Sequence, residues 1–249
     1  MIKTAAGGRE GVEGKPAFDA CFAHAVRQNI DQFVFLGDLV GYGADPAYIV
    51  ERVADLCADG AVALMGNHDY AAAKGLTDGM NDYAKAAIEW TYNQLDPARR
   101  SFLESLLMKV EDEDRLYVHS DASAPTRWLY IGDEESAERS LQATRQRITF
   151  CGHIHIPQLY HMTPTKPAKF FAPKPGAPIP LVGQRQWLAV QGSVGQPRDK
   201  NPSAAYSILD TTKNELTYWR VPYDIEEAAR KIHAAELPRI LAARLFIGK

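Results

Sequence analysis

Four short apolar runs in this chain each end in a residue that can bind a cation or move a proton. Phe33-Val34-Phe35-Leu36-Gly37 leads to Asp38, and Ala61-Val62-Ala63-Leu64-Met65 leads to Gly66-Asn67-His68-Asp69. Arg115-Leu116-Tyr117-Val118 leads to His119, and Ile148-Thr149-Phe150-Cys151 leads to Gly152-His153-Ile154-His155. One such residue means little, because an Asp after Gly is usually a turn or cap residue. Four of the seven histidines at such exits are a different matter. If the exits meet, carboxylate, amide and imidazole donors without a thiolate suit Zn²⁺, Mn²⁺ or Fe. Asp38 has two oxygens and could bridge two ions, and a pair about 3.5–4 Å apart clamps a phosphoryl group and activates a water against it. His68 is then the candidate proton donor to the departing alkoxide, with Asp69 or another carboxylate orienting its ring.

The elements that must place these residues are legible in outline. The Phe33–Leu36 run reads as a strand buried on both faces, as in a sheet covered by helices. Ligands in such sheets bind at the carboxyl ends of the strands. Residues 2–6 suggest a short first strand, and Pro16 opens a helix carrying Phe18, Cys21, Phe22, Ala25 and Val26 on one face. Asp45-Pro46 reads as the capped start of a second helix. Asn81 to Leu107 reads as two helices broken at Asp96-Pro97, placed as a rim over residues 77–110. Glu111–Asp114 reads as a solvated acidic turn, and Asp133 to Thr144 as a polar helix. In the second half, residues 158–162, 186–190, 204–209 and 215–222 read as antiparallel strands. The Pro- and Lys-rich segment 163–183 reads as a long surface loop, and 224–249 as helix broken at Pro238. No repeat or linker divides residues 1–249, which read as a single α/β domain.

Composition narrows the class further. A net charge of -3 gives no basis for non-specific nucleic-acid binding. No apolar run approaches membrane-spanning length, so no membrane association is expected. Cys21, Cys57 and Cys151 read as buried free thiols of a reducing, cytoplasmic compartment. Nothing in the sequence sets an oligomeric state.

Together, Gly37-Asp38, Gly66-Asn67-His68-Asp69, His119 and Gly152-His153-Ile154-His155 resemble the ordered motifs of the calcineurin-like metallophosphoesterases. Gly192 to Arg198 resembles a segment of a bacterial branch of small phosphatases and phosphodiesterases. The resemblance runs from Pro16 to the C-terminus. It implies a four-layer α/β/β/α sandwich of two mixed sheets. It also implies a two-metal centre: Asp38 bridging, Asn67, His119 and His153 completing one ion, and His155 contributing to the other. His68 would act on the leaving group, and Arg198 would hold the Ser193 loop or an anion, the structural role being favoured. The implied activity is hydrolysis of phosphate mono- or diesters, a small phosphorylated substrate being the partner. One departure matters. Where the family opens with Asp-x-His, this chain has Glu10 and Val12, and residues 1–15 do not resemble the family's first strand and turn. One firmly held Mn, Fe or Zn ion and a weak or absent second are therefore expected. The alternative is a degenerate member with an impaired metal site, serving as a binding module. Ser120-Asp121 stand where the family usually has Gly after the His, a smaller departure.

Overall fold

The computed structural model describes the backbone of residues 3–6 and all of residues 14–249. Glu10 and Val12 lie outside the described residues. Two six-stranded sheets face one another. The first holds β1 (Lys3–Ala6), β2 (Gln32–Phe35), β3 (Val62–Ala63), β9 (Ile179–Pro180), β11 (Ala204–Asp210) and β12 (Glu215–Val221) in the order β3-β2-β1-β11-β12-β9. The second holds β4 (Lys109–Asp112), β5 (Arg115–Val118), β6 (Ile148–Cys151), β7 (Gln158–Thr163), β8 (Lys166–Phe171) and β10 (Gln186–Val190) in the order β4-β5-β6-β10-β7-β8. Both sheets are mixed. β1, β2 and β3 run parallel, as do β5, β6 and β10, and antiparallel neighbours flank each set.

Alternation along β2 shows how the layers form. Val34 and, just beyond the strand, Leu36 face the second sheet, where they meet Tyr117, Phe150, Leu159 and Trp187. Phe33 and Phe35 point the other way, as the two-residue strand period requires, onto α1 (Lys15–Arg27) and α2 (Pro46–Ala58) through Phe18, Ile49 and Val53. The outer face of the second sheet packs Val118, Cys151, Tyr160 and Leu188 against Ala137 and Leu141 of α6 (Glu134–Gln142). Helix, sheet, sheet and helix are thus the expected four layers. No helix among the described residues is long and apolar enough to cross a membrane.

Several local expectations change. Asn67 and His68 do not trail from a strand. They open α3 (Asn67–Lys74), a helix too short and too rich in alanine to announce itself by periodicity. α4 (Asp82–Gln94) and α5 (Pro97–Ser105) are broken where Pro97 dictates. They back α3 from behind, with Ile88, Leu95 and Leu103 packed against Ala71, Ala72 and Ala73. The segment 163–183 is not a plain loop, since it holds β8 and β9. β8 was hidden because it is an edge strand: of its residues only Ala168 is buried, and Lys and Pro are edge residues. Its Ala168 and Phe170 N–H groups donate to the Glu138 and Glu134 carboxylates of α6. β10 pairs antiparallel with β7, as expected, but parallel with β6, which makes it an interior strand.

Asp45 stands at the N-cap position of α2 but caps nothing. Its carboxylate takes the Lys15 backbone N–H and the Lys231 ammonium instead. It thereby joins α1 to α7 (Ile225–Ala234), which pairs with α8 (Arg239–Ile247). The acidic turn before β5 is solvent-facing, yet Asp112, Glu113 and Asp114 all close on the guanidinium of the buried Arg115. Cys21 and Cys151 are buried free thiols, while Cys57 is only half-buried.

Phe150 is completely buried between the sheets and stacked on Tyr117 with ring centroids 5.5 Å apart. Phe150→Ala should cost about 3–5 kcal/mol of stability, read as a lower urea midpoint with an unchanged denaturant slope.

Candidate metal centre

The exits of β2 and β3 touch because two glycines let them. Gly37 has a φ of +101°, and a methyl group on it would lie 2.6 Å from the Gly66 nitrogen and 2.8 Å from His119 Nδ1. A methyl group on Gly66 would lie 2.2 Å from Asp38 Oδ1. Asp38 itself turns at a φ of 50°. Its Oδ1 accepts the His68 backbone N–H at 2.9 Å, so the first turn of α3 holds the carboxylate.

Around Asp38 the imidazoles converge. His119, at the end of β5, donates Nδ1–H to the Leu36 carbonyl at 2.8 Å. Its Nε2 lies 3.5 Å from Asp38 Oδ2, 3.2 Å from Asn67 Oδ1 and 3.1 Å from His153 Nδ1. His153 and His155 follow β6 with φ of 68° and 61°. Ile154 N–H closes back on the Gly152 carbonyl at 2.8 Å. This is the turn the two histidines need, since in an extended segment they would point apart. His155 donates Nδ1–H to the Gln196 carbonyl at 2.8 Å.

This hydrogen bonding is the test of whether a cation fits. A backbone carbonyl can only accept, so His119 and His155 each carry a proton on Nδ1. His119 Nε2 then presents its lone pair to Asp38 Oδ2 at 3.5 Å and Asn67 Oδ1 at 3.2 Å, with His153 Nδ1 3.1 Å away. Two acceptors in contact, both buried, repel unless a positive charge lies between them. Metal-bound histidines are oriented in the same way, with the second N–H given to a backbone carbonyl. Asp38, His119 and His153 place their donor atoms within 4.8 Å of one another, and all three are buried. Asn67 Oδ1 is the fourth donor. The set fits a divalent cation. His155 stands outside that trio, yet close enough for Asp38 and His153 to act on its titration.

Electrostatics agree with the donor roles. Burial, reinforced by His119, pushes His153 down to about 3. Burial and the Arg198 charge push His155 well below the usual range, and burial lowers His68 too. Neutral imidazoles are what a metal requires. Burial, the largest single effect, would raise Asp38, but the fields of His119, His68 and His153 and the His68 backbone N–H together outweigh it and hold the carboxyl far below the ordinary range.

One expected contact is absent. Asp69 does not orient His68. Its Oδ1 accepts the Leu39 and Val40 N–H groups at 2.8 and 3.3 Å, and its Oδ2 accepts Gly66 N–H at 2.9 Å. Asp69 therefore clamps the β2 exit onto the start of α3, and His68 Nδ1 is buried with no hydrogen-bond partner among the described residues. The His68 ring packs on Tyr42 with centroids 4.4 Å apart. Tyr42, Trp128 and Tyr130 are site residues that sequence reasoning missed. Tyr130 stacks on His153 at 4.3 Å, and Trp128 meets His119 edge-on at 5.6 Å. Both sit on a loop whose root, Asp121, accepts from Ser123 N–H and Arg139 Nε. The Trp-x-Tyr pair was visible, but nothing in a loop sequence says where it folds.

Residues 15–214 match the calcineurin-like phosphoesterase superfamily domain. The chain belongs to that superfamily. An uncharacterized protein of Methanocaldococcus jannaschii is 31% identical to this calcineurin-like phosphoesterase over 238 residues, 94% of this chain and 93% of that one. The crystal structure of a metallophosphoesterase from Sphaerobacter thermophilus aligns with a TM-score of 0.83 at 30% identity, covering 100% of this chain and 98% of the other. A hypothetical protein from Pyrococcus horikoshii shares the fold at 16% identity, with a TM-score of 0.79 and coverage of 100% and 98%. The family is one of metal-dependent phosphoester hydrolases, and this calcineurin-like phosphoesterase is of that kind.

The lowered imidazoles make a linkage prediction for the metal-free chain. Unfolded, His68, His153 and His155 would take up protons near their ordinary value of 6.5; folded, they refuse them. Unfolding then binds protons, so stability falls as the pH falls from about 6.5 toward 3. Asp69, pushed up by burial and by Asp38, works in the opposite direction, but it is one group against three. In metal-free buffer the melting temperature should drop by roughly 5 °C or more between pH 7 and pH 5. A flat profile would contradict the buried, neutral imidazoles.

Proposed function

We propose that this chain hydrolyses small phosphate mono- or diesters at the Asp38 centre. The observation that carries the reading is the buried gathering of Asp38, His119 and His153 donor atoms within 4.8 Å of one another, the His119 Nε2 lone pair facing an Asp38 oxygen. Asp38, Asn67, His119 and His153 would hold one divalent cation, and oxygen and nitrogen donors without sulfur suit Mn²⁺, Fe or Zn²⁺. Asp38 and His155 offer a second, weaker position. When bound, the cation polarises the phosphate and lowers the pKa of water at the reacting phosphorus.

The rest of the work falls to the protein. Asp38 and the imidazoles around it are buried, and the start of α3 fixes Asp38 through the His68 backbone. His68 is the proton donor to the leaving alkoxide. Burial, opposed by Asp38, keeps its ring neutral in the free protein. An anionic phosphoryl group beside it acts in the same sense as Asp38, raising its pKa, so the ring gains its proton as the ester arrives. The free cysteines accord with a reducing, cytoplasmic setting.

Two experiments test this. Turnover of p-nitrophenyl phosphate and its bis ester with Mn²⁺ should exceed buffer, and no rate with either would overturn the reading. His68→Ala should lower kcat by about 10²–10⁴ for an alkyl ester, and by less for p-nitrophenyl, whose phenolate leaves without a proton, with metal content unchanged. Loss of the metal in that variant would reassign His68 as a ligand. Separately, metal analysis after gel filtration should find one ion per chain. Two retained ions would refute the weak second position.

A further inference from the structure

Among the described residues, no group neutralises the charge of Arg198. Among the described residues it has no carboxylate within ion-pair distance, because Asp199, next in the chain, is turned to Arg220. Its Nε and Nη2 both donate to Gln196 Oε1, at 3.2 and 2.8 Å. The guanidinium carbon lies 5.8 Å from the centroid of the Tyr42 ring, the same ring that packs on His68. So held, the group keeps its far end, Nη1 and the second hydrogen of Nη2, clear of any protein acceptor among the described residues. The side chain is half-buried, and the Arg198 backbone N–H donates to the His155 carbonyl at 3.2 Å. An unpaired, partly desolvated cation next to a cluster built to hold another cation is unfavourable, unless an anion lies between them.

We propose that Arg198 reads the phosphate and that its free fork makes the substrate a phosphomonoester. This rests on the hydrolase reading and narrows it. A fork of two N–H groups is satisfied by two oxygens, and the cation at Asp38 needs at least one more. A monoester offers three non-bridging oxygens and up to two negative charges; a diester offers two and one. Gln196 is the positioning residue. Its side-chain oxygen aims Arg198, while its carbonyl aims His155.

Arg198→Met and Arg198→Lys, compared with the unaltered chain loaded with Mn²⁺, test the assignment. The Met variant should lose about 10²-fold in kcat/KM for p-nitrophenyl phosphate and a much smaller factor for the bis ester. The Lys variant, with charge but no fork, should recover only a small part, and metal content should not change. Calorimetry with inorganic phosphate gives a readout that needs no turnover, and the Met variant should bind it at least tenfold more weakly. Equal phosphate affinity in the two proteins overturns the role of Arg198. A faster diester rate in the unaltered chain, or an equal loss on both esters, overturns the monoester assignment. Arg198-dependent phosphate binding with no turnover of either ester would sink the hydrolase reading alone and leave the phosphate-reading role standing.

Discussion

Everything in the site depends on how closely two backbones approach. The Gly66 Cα sits so near the Asp38 carboxylate that a single methyl group would occupy the place of an oxygen. That approach brings the end of β2 against the start of α3. It allows Asp38 to receive the His68 N–H and puts Asn67 within 3.2 Å of His119. Asp69 then locks it with three backbone N–H donors, from Leu39, Val40 and Gly66. The sheets supply rigidity behind this junction, since Leu36 and Phe150, next to the two turns, are both completely buried. A donor set assembled from four separate exits holds its geometry only because each exit leaves a strand that cannot shift.

The convergence was legible because it is written as a repeated local event, an apolar run ending in Asp, Asn or His. The layering was legible too, since runs such as Phe33–Leu36 alternate between two cores. What stayed hidden depends on long-range contact. The sequence marks Asp69 as a carboxylate next to His68 and so invites a pairing. The chain instead brings it three N–H groups, two of them about thirty residues away. Asp45 misled in the same way, looking like a helix cap but tying α1 to α7. β8 was hidden for a different reason: an edge strand buries almost nothing, so it lacks the apolar alternation by which strands are recognised. The aromatic wall of Tyr42, Trp128 and Tyr130 belongs to loops, whose course no periodicity encodes.

Charge is unevenly settled across the molecule. Arg115 is buried at the far end of β5 from His119 and is surrounded by three carboxylates, so its charge is balanced within the protein. Arg220 is balanced by Asp199. Arg198 has no carboxylate partner among the described residues, and it lies beside His155, whose carbonyl takes its backbone N–H.

Two of the converging imidazoles are oriented by main-chain groups: Leu36 for His119 and Gln196 for His155. A peptide oxygen is present whatever side chain is attached to it. The code for the centre is therefore compact: a few donors, two glycines and a backbone path. Surrounding residues can drift over evolutionary time without releasing a ligand. A solved structure at 16% identity shares this architecture, so the main-chain path that orients the donors can be built from a very different set of side chains.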